Sequence, residues 1–208
     1  MIVATLGFSR GDFEIFSIEG FNSRLAKIYE LIRPRLIRLG NELAPELSRK
    51  LHLEFFPHVA KHMRRIANPP DETWAAFGPS PAGYKRYGYL ALCISGVGIH
   101  ARAVVKPDAD LRPEMGRMIK AKTAELGRSF RGTRIQDYHR WDFRIAPEEV
   151  AASEEFFAGL GDSLAKKTGG IDVGFGWKAG QVARLDRSEV IDAFAELEPL
   201  YRVIRSVG

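Results

Sequence analysis

Residues 57–89, PHVAKHMRRIANPPDETWAAFGPSPAGYKRYGY, hold two of the chain's five histidines beside five lysines and arginines. An imidazole titrates near neutrality, so it can give or take a proton at physiological pH. Ammonium and guanidinium groups hold resting or developing negative charge, the arginine fork in a bidentate fashion. His58 and His62 are therefore the candidate acid–base residues. Lys61, Arg64, Arg65, Asn68, Trp74, Tyr84 and Lys85 are the candidate ligand-binding residues. The chemistry they suggest is recognition of an anionic small molecule, phosphorylated ones included, with proton transfer at the same place. His58 and His62 also have the i, i+4 spacing of a helical metal site, but Val59 stands where HExxH carries its glutamate. Three neighbouring cations, Lys61, Arg64 and Arg65, would repel a metal ion, so no metal or cofactor is expected.

These groups need a scaffold, and the composition is that of an ordinary globular protein: 208 residues, 45% hydrophobic and 27% charged. One domain over residues 1–208 is expected, long enough to bury roughly 70% of the unfolded chain's surface. Thirty-one Lys+Arg against 26 Asp+Glu give +5, which favours anionic partners without singling out nucleic acid. The first residues lack a basic leader followed by an apolar run, and no stretch of about 18 consecutive apolar residues occurs. A soluble cytoplasmic protein with no membrane contact is expected. A lone cysteine, Cys93, excludes an internal disulfide framework and reads as a buried thiol.

Hydrophobic spacing supplies the elements. Ser9 and Asp12 mark a short helical turn. Leu25, Ile28, Ile32, Leu36 and Leu39 share one face of an amphipathic helix with a basic outer surface, kinked at Pro34 and closed by Gly40; a further turn follows over 45–51. LHLEF at 51–55 and TWAAF at 73–77 alternate as strands. Between them HVAKHMRR reads as a strand, or as a helix opened by Pro57 and stopped by Pro69, with the strand preferred; Asn68-Pro69-Pro70 is a rigid corner. YLALCIS, a turn at 96–98, and IHARAVV form a β-hairpin. Met115 to Leu126 is a helix, RWDFRI at 140–145 a strand, and Pro147 opens a helix ending near Lys166. IDVGFGW at 171–177 is a strand whose glycine face must meet a close neighbour or water. A final helix from about Ser188 has a kink at Pro199. Strands grouped centrally among helices argue for α+β, with a largely antiparallel sheet flanked by helices. Gly174 and Gly176 match a nucleotide fingerprint only superficially.

The segment HVAKHMRRIANPPDETWAAF, followed by GYKR, resembles the signature of the YktB-like family, bacterial proteins of unknown function. The matching positions are His58, Val59, Ala60, Lys61, His62, Arg64, Arg65, Asn68, Pro69, Pro70, Thr73, Trp74, Ala76, Phe77, Gly83, Tyr84 and Lys85. DFEIF near the start, RPRL around Pro34 and the closing Phe194, Leu197, Pro199, Leu200, Tyr201 and Arg202 extend the likeness to both ends. Glu72 replaces the family's aspartate before Thr73, and Ala82 replaces its basic residue before Gly83. The resemblance implies a compact α+β domain and brings no assigned activity.

Three functions fit these residues. An anion-binding or enzymatic domain uses the His/Lys/Arg cluster. A nucleic-acid-associated module would use the basic helix of residues 24–38 and the aromatics beside GYKR. A structural or interaction protein would use the same motif to hold its own fold. The sequence names no reaction and no oligomeric state.

Overall fold

The computed structural model describes residues 5–63, 67–139 and 141–207. They form a seven-stranded antiparallel sheet in the order β1-β2-β3-β4-β7-β5-β6. The strands are β1 (Phe56–Val59), β2 (Glu72–Gly78), β3 (Tyr89–Ser95), β4 (Gly98–Val105), β5 (Arg134–Asp137), β6 (Glu148–Ala151) and β7 (Ile171–Lys178). The β3–β4 hairpin stands where alternation predicts it, with Ser95 opposite Gly98 across the two-residue turn. Both arms are buried at every position, because a central strand covered on both faces has no solvent side to alternate with.

On the front face Ala75 and Phe77, Leu90, Leu92 and Ile94, and Ile99, Ala101, Ala103 and Val105 meet the helices. These are α1 (Arg10–Glu14), α2 (Phe21–Lys27), α3 (Arg33–Leu51), α4 (Arg112–Ala121), α5 (Thr123–Ser129), α6 (Glu154–Ala165), α7 (Arg187–Glu196) and α8 (Glu198–Arg205). Asp12 takes the Ser9 N–H at 2.7 Å and pairs with Arg35 at 2.5 Å, which fastens α1 to α3. Pro34 makes no sharp break. A π-helical turn, Ile28–Ile32, carries the chain from α2 into α3, with the Arg33 N–H reaching back five residues to the Ile28 carbonyl, so proline's missing donor falls at the helix start.

Four elements differ from their sequence expectations. Gly40 does not end its helix: α3 runs through Gly40 and Pro45 to Leu51, because Leu36, Leu39, Leu43, Leu47 and Leu51 continue one buried stripe. Gly40 is needed for packing instead, since a Cβ there would stand 3.2 Å from the Cβ of Pro57 in β1. LHLEF is consequently a helix end and a turn, with His52 capping α3 in the left-handed region (φ 51°). Of the HVAKHMRR segment, His58 and Val59 are strand and residues 60–63 are not, with His62 at φ 48°; Arg64 and Arg65 lie outside the described residues. Neither the expected strand at 140–145 nor a helix starting at Pro147 is found among the described residues. Residues 141–145 lie outside any strand, Glu148–Ala151 pairs with β5 as β6, and the helix waits for Ser153, whose side chain accepts the Phe156 N–H. Ile135, inside the unforeseen β5, is fully buried.

The back face carries charge where a core is usually apolar. Arg102 is 1% exposed, its Nη1 2.8 Å from Glu72 Oε2 and 3.5 Å from Asp172 Oδ2, and Lys106 Nζ lies 3.4 Å from the same Asp172 oxygen. The ring of Tyr138 covers the guanidinium at 3.9 Å. Beside it His100 Nδ1 meets the Tyr138 hydroxyl at 3.0 Å and Nε2 meets Ser95 Oγ at 3.1 Å, while the Tyr138 hydroxyl donates to Gln136. Here the glycine face of β7 finds its close neighbours: a Cβ at Gly176 would fall 2.6 Å from both His100 Nδ1 and Gln136 Oε1.

Two outcomes follow from this face. Arg102→Leu strands the buried Glu72 carboxylate and leaves Asp172 to Lys106 alone, and should cost about 3–5 kcal/mol in urea unfolding, against a change below about 1 kcal/mol if the cluster is peripheral. Burial, and then the charge of Arg102, hold His100 well below its ordinary range, so the folded state keeps it neutral. The unfolded chain protonates it first, hence stability is complete above the unfolded value near 6.5 and declines as pH falls below it, by up to about 1.4 kcal/mol per pH unit. Melting curves between about pH 5 and 8 should show that slope, and His100→Gln should flatten it.

Candidate functional site

A cavity of about 1070 Å³ wraps the outer edge of β1. Its walls come from α3 (Arg33, Ile37, Asn41), from Pro57–Met63, from Trp74 on β2 and from the connection before β3 (Ser80, Ala82–Tyr87). Six of the nine residues singled out by the sequence line it: His58, Lys61, His62, Trp74, Tyr84 and Lys85. Asn68 is exposed and lies outside its lining, so the Asn-Pro-Pro corner shapes the chain without contributing that side chain. Arg64 and Arg65 fall outside the described residues. Arg33, Asn41, Ser80 and Tyr87 are additions that the sequence does not signal. Arg33 and Asn41 lie on a helix, and only folding brings α3 alongside β1.

Each side chain has a local reason for its place. His58 is on β1 opposite Ala76, its Nε2 2.9 Å from the Ser80 carbonyl and its ring 5.5 Å from that of Tyr84. A carbonyl only accepts, so Nε2 carries the proton and the neutral ring keeps its lone pair on Nδ1. His62 Nε2 meets Thr73 Oγ1 at 3.0 Å, and its ring stands edge-on to Trp74 at 5.6 Å. Both histidines are half-buried, and His58 belongs to a strand, so they do not form a helical i, i+4 pair. Trp74 Nε1 donates to the Tyr84 hydroxyl at 3.1 Å, and burial pushes that phenol up to about 12. The carbonyl of Lys61 accepts the Tyr29 hydroxyl at 2.5 Å, which leaves its ammonium exposed. Phe77, on the other face, stacks edge-on to Phe194 in the front core.

The charges decide what the cavity can attract. Among the described residues Arg33, Lys61, Lys85 and Arg86 line it, and no aspartate or glutamate does. The nearby carboxylates are engaged elsewhere: Asp71 with Arg24 at 3.0 Å and Glu72 with Arg102 at 2.8 Å. Arg86 pairs with Asp110, but among the described residues no ion pair involves Arg33, Lys61 or Lys85. The basic helix surface is less available than its sequence suggests, since Arg24, Lys27 and Arg35 pair with Asp71, Glu30 and Asp12. Among the described residues no group of three or more His, Cys, Asp or Glu is placed to hold a metal. No helix among them is long and apolar enough to cross a membrane.

A family profile described as a domain of unknown function, DUF1054, matches residues 8–201. The chain belongs to this family. Its DUF1054 relatives include UPF0637 proteins, which agrees with the likeness carried by the HVAKHMRRIANPPDETWAAF segment. That of Bacillus velezensis is 35% identical over 125 residues, 60% of each chain. That of Bacillus licheniformis is 33% identical over 124 residues, 60% of this chain and 59% of the relative. That of Lysinibacillus sphaericus is 47% identical over 74 residues, 36% of this chain and 35% of the relative. The matched stretches thus span about 60% or less of these relatives' length.

Cys93 sits on the back face in the apolar cluster with Ala76, Tyr89, Ala91 and Val104, and burial raises its thiol far above the usual range. In the native protein it should resist a thiol reagent such as Ellman's at pH 8 and react fully in guanidinium; rapid native labelling would contradict the burial.

Proposed function

We propose that the chain binds a small anionic ligand in the cavity around β1, with Lys61 and Lys85 holding its charge and His58 moving a proton. The observation that carries this reading is the charge of the lining among the described residues: Arg33, Lys61 and Lys85 without an ion pair, Arg86 paired with Asp110, no carboxylate in the lining, and Asp71 and Glu72 engaged by Arg24 and Arg102.

The chemistry follows from the groups. Exposed lysines are mobile point charges that suit a phosphate or sulfate, and Arg33 offers a planar fork for the same oxyanion. His58, held through Nε2 by the Ser80 carbonyl, presents Nδ1 as the base in its neutral form and as the acid once protonated. Fixing one nitrogen fixes the ring's orientation, which is what proton transfer to a bound ligand requires.

Sulfate is a clean probe because it does not titrate near neutrality. Isothermal titration should show sulfate binding that weakens between ~50 and ~200 mM salt. A Lys61→Ala, Lys85→Ala double variant should lose at least about tenfold in affinity with its melting temperature unchanged, since both side chains are exposed. Absence of binding for sulfate and inorganic phosphate alike at low salt would overturn the reading.

A further inference from the structure

One donor in the cavity wall lacks a partner. The Tyr84 hydroxyl accepts the Trp74 N–H at 3.1 Å, and among the described residues nothing accepts its own proton. The side chain is 8% exposed and lines the cavity. Its raised pKa, about 12, keeps the phenol protonated across the physiological range. A neutral donor held in place by an indole, with its acceptor missing, is a ready recognition element for a ligand's polar edge.

The space beside it is far larger than a phosphate needs, about 1070 Å³. His58, Trp74, Tyr84 and Tyr87 contribute rings to its walls. Flat, stiff side chains recognise flat ligands well, because stacking requires little ordering and every heterocycle has a π face. A sugar phosphate or an acyl phosphate has no flat ring to set against those faces, whereas a nitrogen heterocycle offers both a π face and a ring acceptor.

We infer that the anion of the proposed site is a phosphorylated nitrogen heterocycle, a nucleotide in chemical class, with its phosphate on Lys61 and Lys85, its ring against Trp74, and a ring acceptor taking the Tyr84 proton. This deepens the anion-binding reading and rests on it.

The test uses the full chain and three mononucleotides, AMP, GMP and UMP, with ribose 5-phosphate and inorganic phosphate as controls. Calorimetry should find at least one nucleotide bound tenfold or more tightly than ribose 5-phosphate. That nucleotide should quench tryptophan emission, and Trp74→Phe should abolish the quench while Trp141 and Trp177 remain. Tyr84→Phe keeps the ring and removes the hydroxyl; it should weaken that nucleotide about tenfold and leave ribose 5-phosphate unchanged. Lys85→Ala, at an exposed position, should weaken both ligands alike and serves if either aromatic variant fails to fold. Nucleotides bound no more tightly than ribose 5-phosphate would overturn the heterocycle and leave the anion site standing. Tight nucleotide binding indifferent to Trp74→Phe, Tyr84→Phe and Lys85→Ala would place the ligand elsewhere and overturn the inference. If no nucleotide, ribose 5-phosphate or phosphate binds, the anion reading falls and the nucleotide with it.

Discussion

The buried guanidinium of Arg102 is the constraint around which the back of the sheet is organised. An isolated charge in that interior would be prohibitive, so its carboxylate partners must arrive in register from two other strands, Glu72 on β2 and Asp172 on β7. Lys106 completes an electrically even set of two cations and two anions. Sheet register and charge balance are thereby coupled, since a one-residue slip of either strand turns a carboxylate to the helix-covered face. Such a cluster adds little net stability over an apolar core of equal volume. Its effect is to penalise alternative strand pairings, the more so with the polar His100–Tyr138–Gln136 network locked beside it.

The same strand links this centre to the cavity. Three consecutive residues of β2 act in three places: Glu72 pairs with Arg102, Thr73 meets the ring of His62, and Trp74 donates to Tyr84. Holding Glu72 in register therefore also sets where the imidazole and the phenol stand. It has an electrostatic effect too. A glutamate directed into the interior is unavailable to the cavity cations, and Asp71, engaged by Arg24, is likewise withdrawn. Among the described residues Lys61 and Lys85 make no ion pair, and Asp71 and Glu72 are bound elsewhere. The short edge strand β1 completes the arrangement: it leaves the sheet after Val59, and its outer side becomes the floor of the cavity.

Much of the fold is legible along the chain where one periodicity acts without competition. The β3–β4 hairpin, TWAAF in β2, IDVGFGW in β7, the Ser9–Asp12 turn and the amphipathic α2–α3 unit all follow from local spacing. The misreadings occur where a local breaker meets a longer-range demand. Gly40 reads as a stop, but its missing Cβ serves the contact with Pro57, and the leucine stripe continues past it. Pro147 reads as a helix start, but residues 148–151 gain more by pairing with β5 at the sheet's edge, and Ser153 supplies the actual cap. RWDFRI has the alternation of a strand. Instead Trp141 stacks on His100 and Tyr138 as part of the cover over the back face.

For the site, the residue types and their density in 57–89 were determined by the sequence alone: imidazoles, cations and aromatic rings, groups suited to an anionic ligand, in a chain that carries the family's signature. Which of them share a cavity was decided only by the tertiary structure. Asn68 falls outside it, while Arg33 and Asn41 join from a helix more than fifteen residues upstream of His58. So was the fate of each neighbouring acid. Sequence distance carries no information about whether Glu72 will neutralise Lys61 or be drawn to Arg102 thirty residues on; burial makes that choice, because a charge removed from water holds its partner far more strongly than an exposed lysine can.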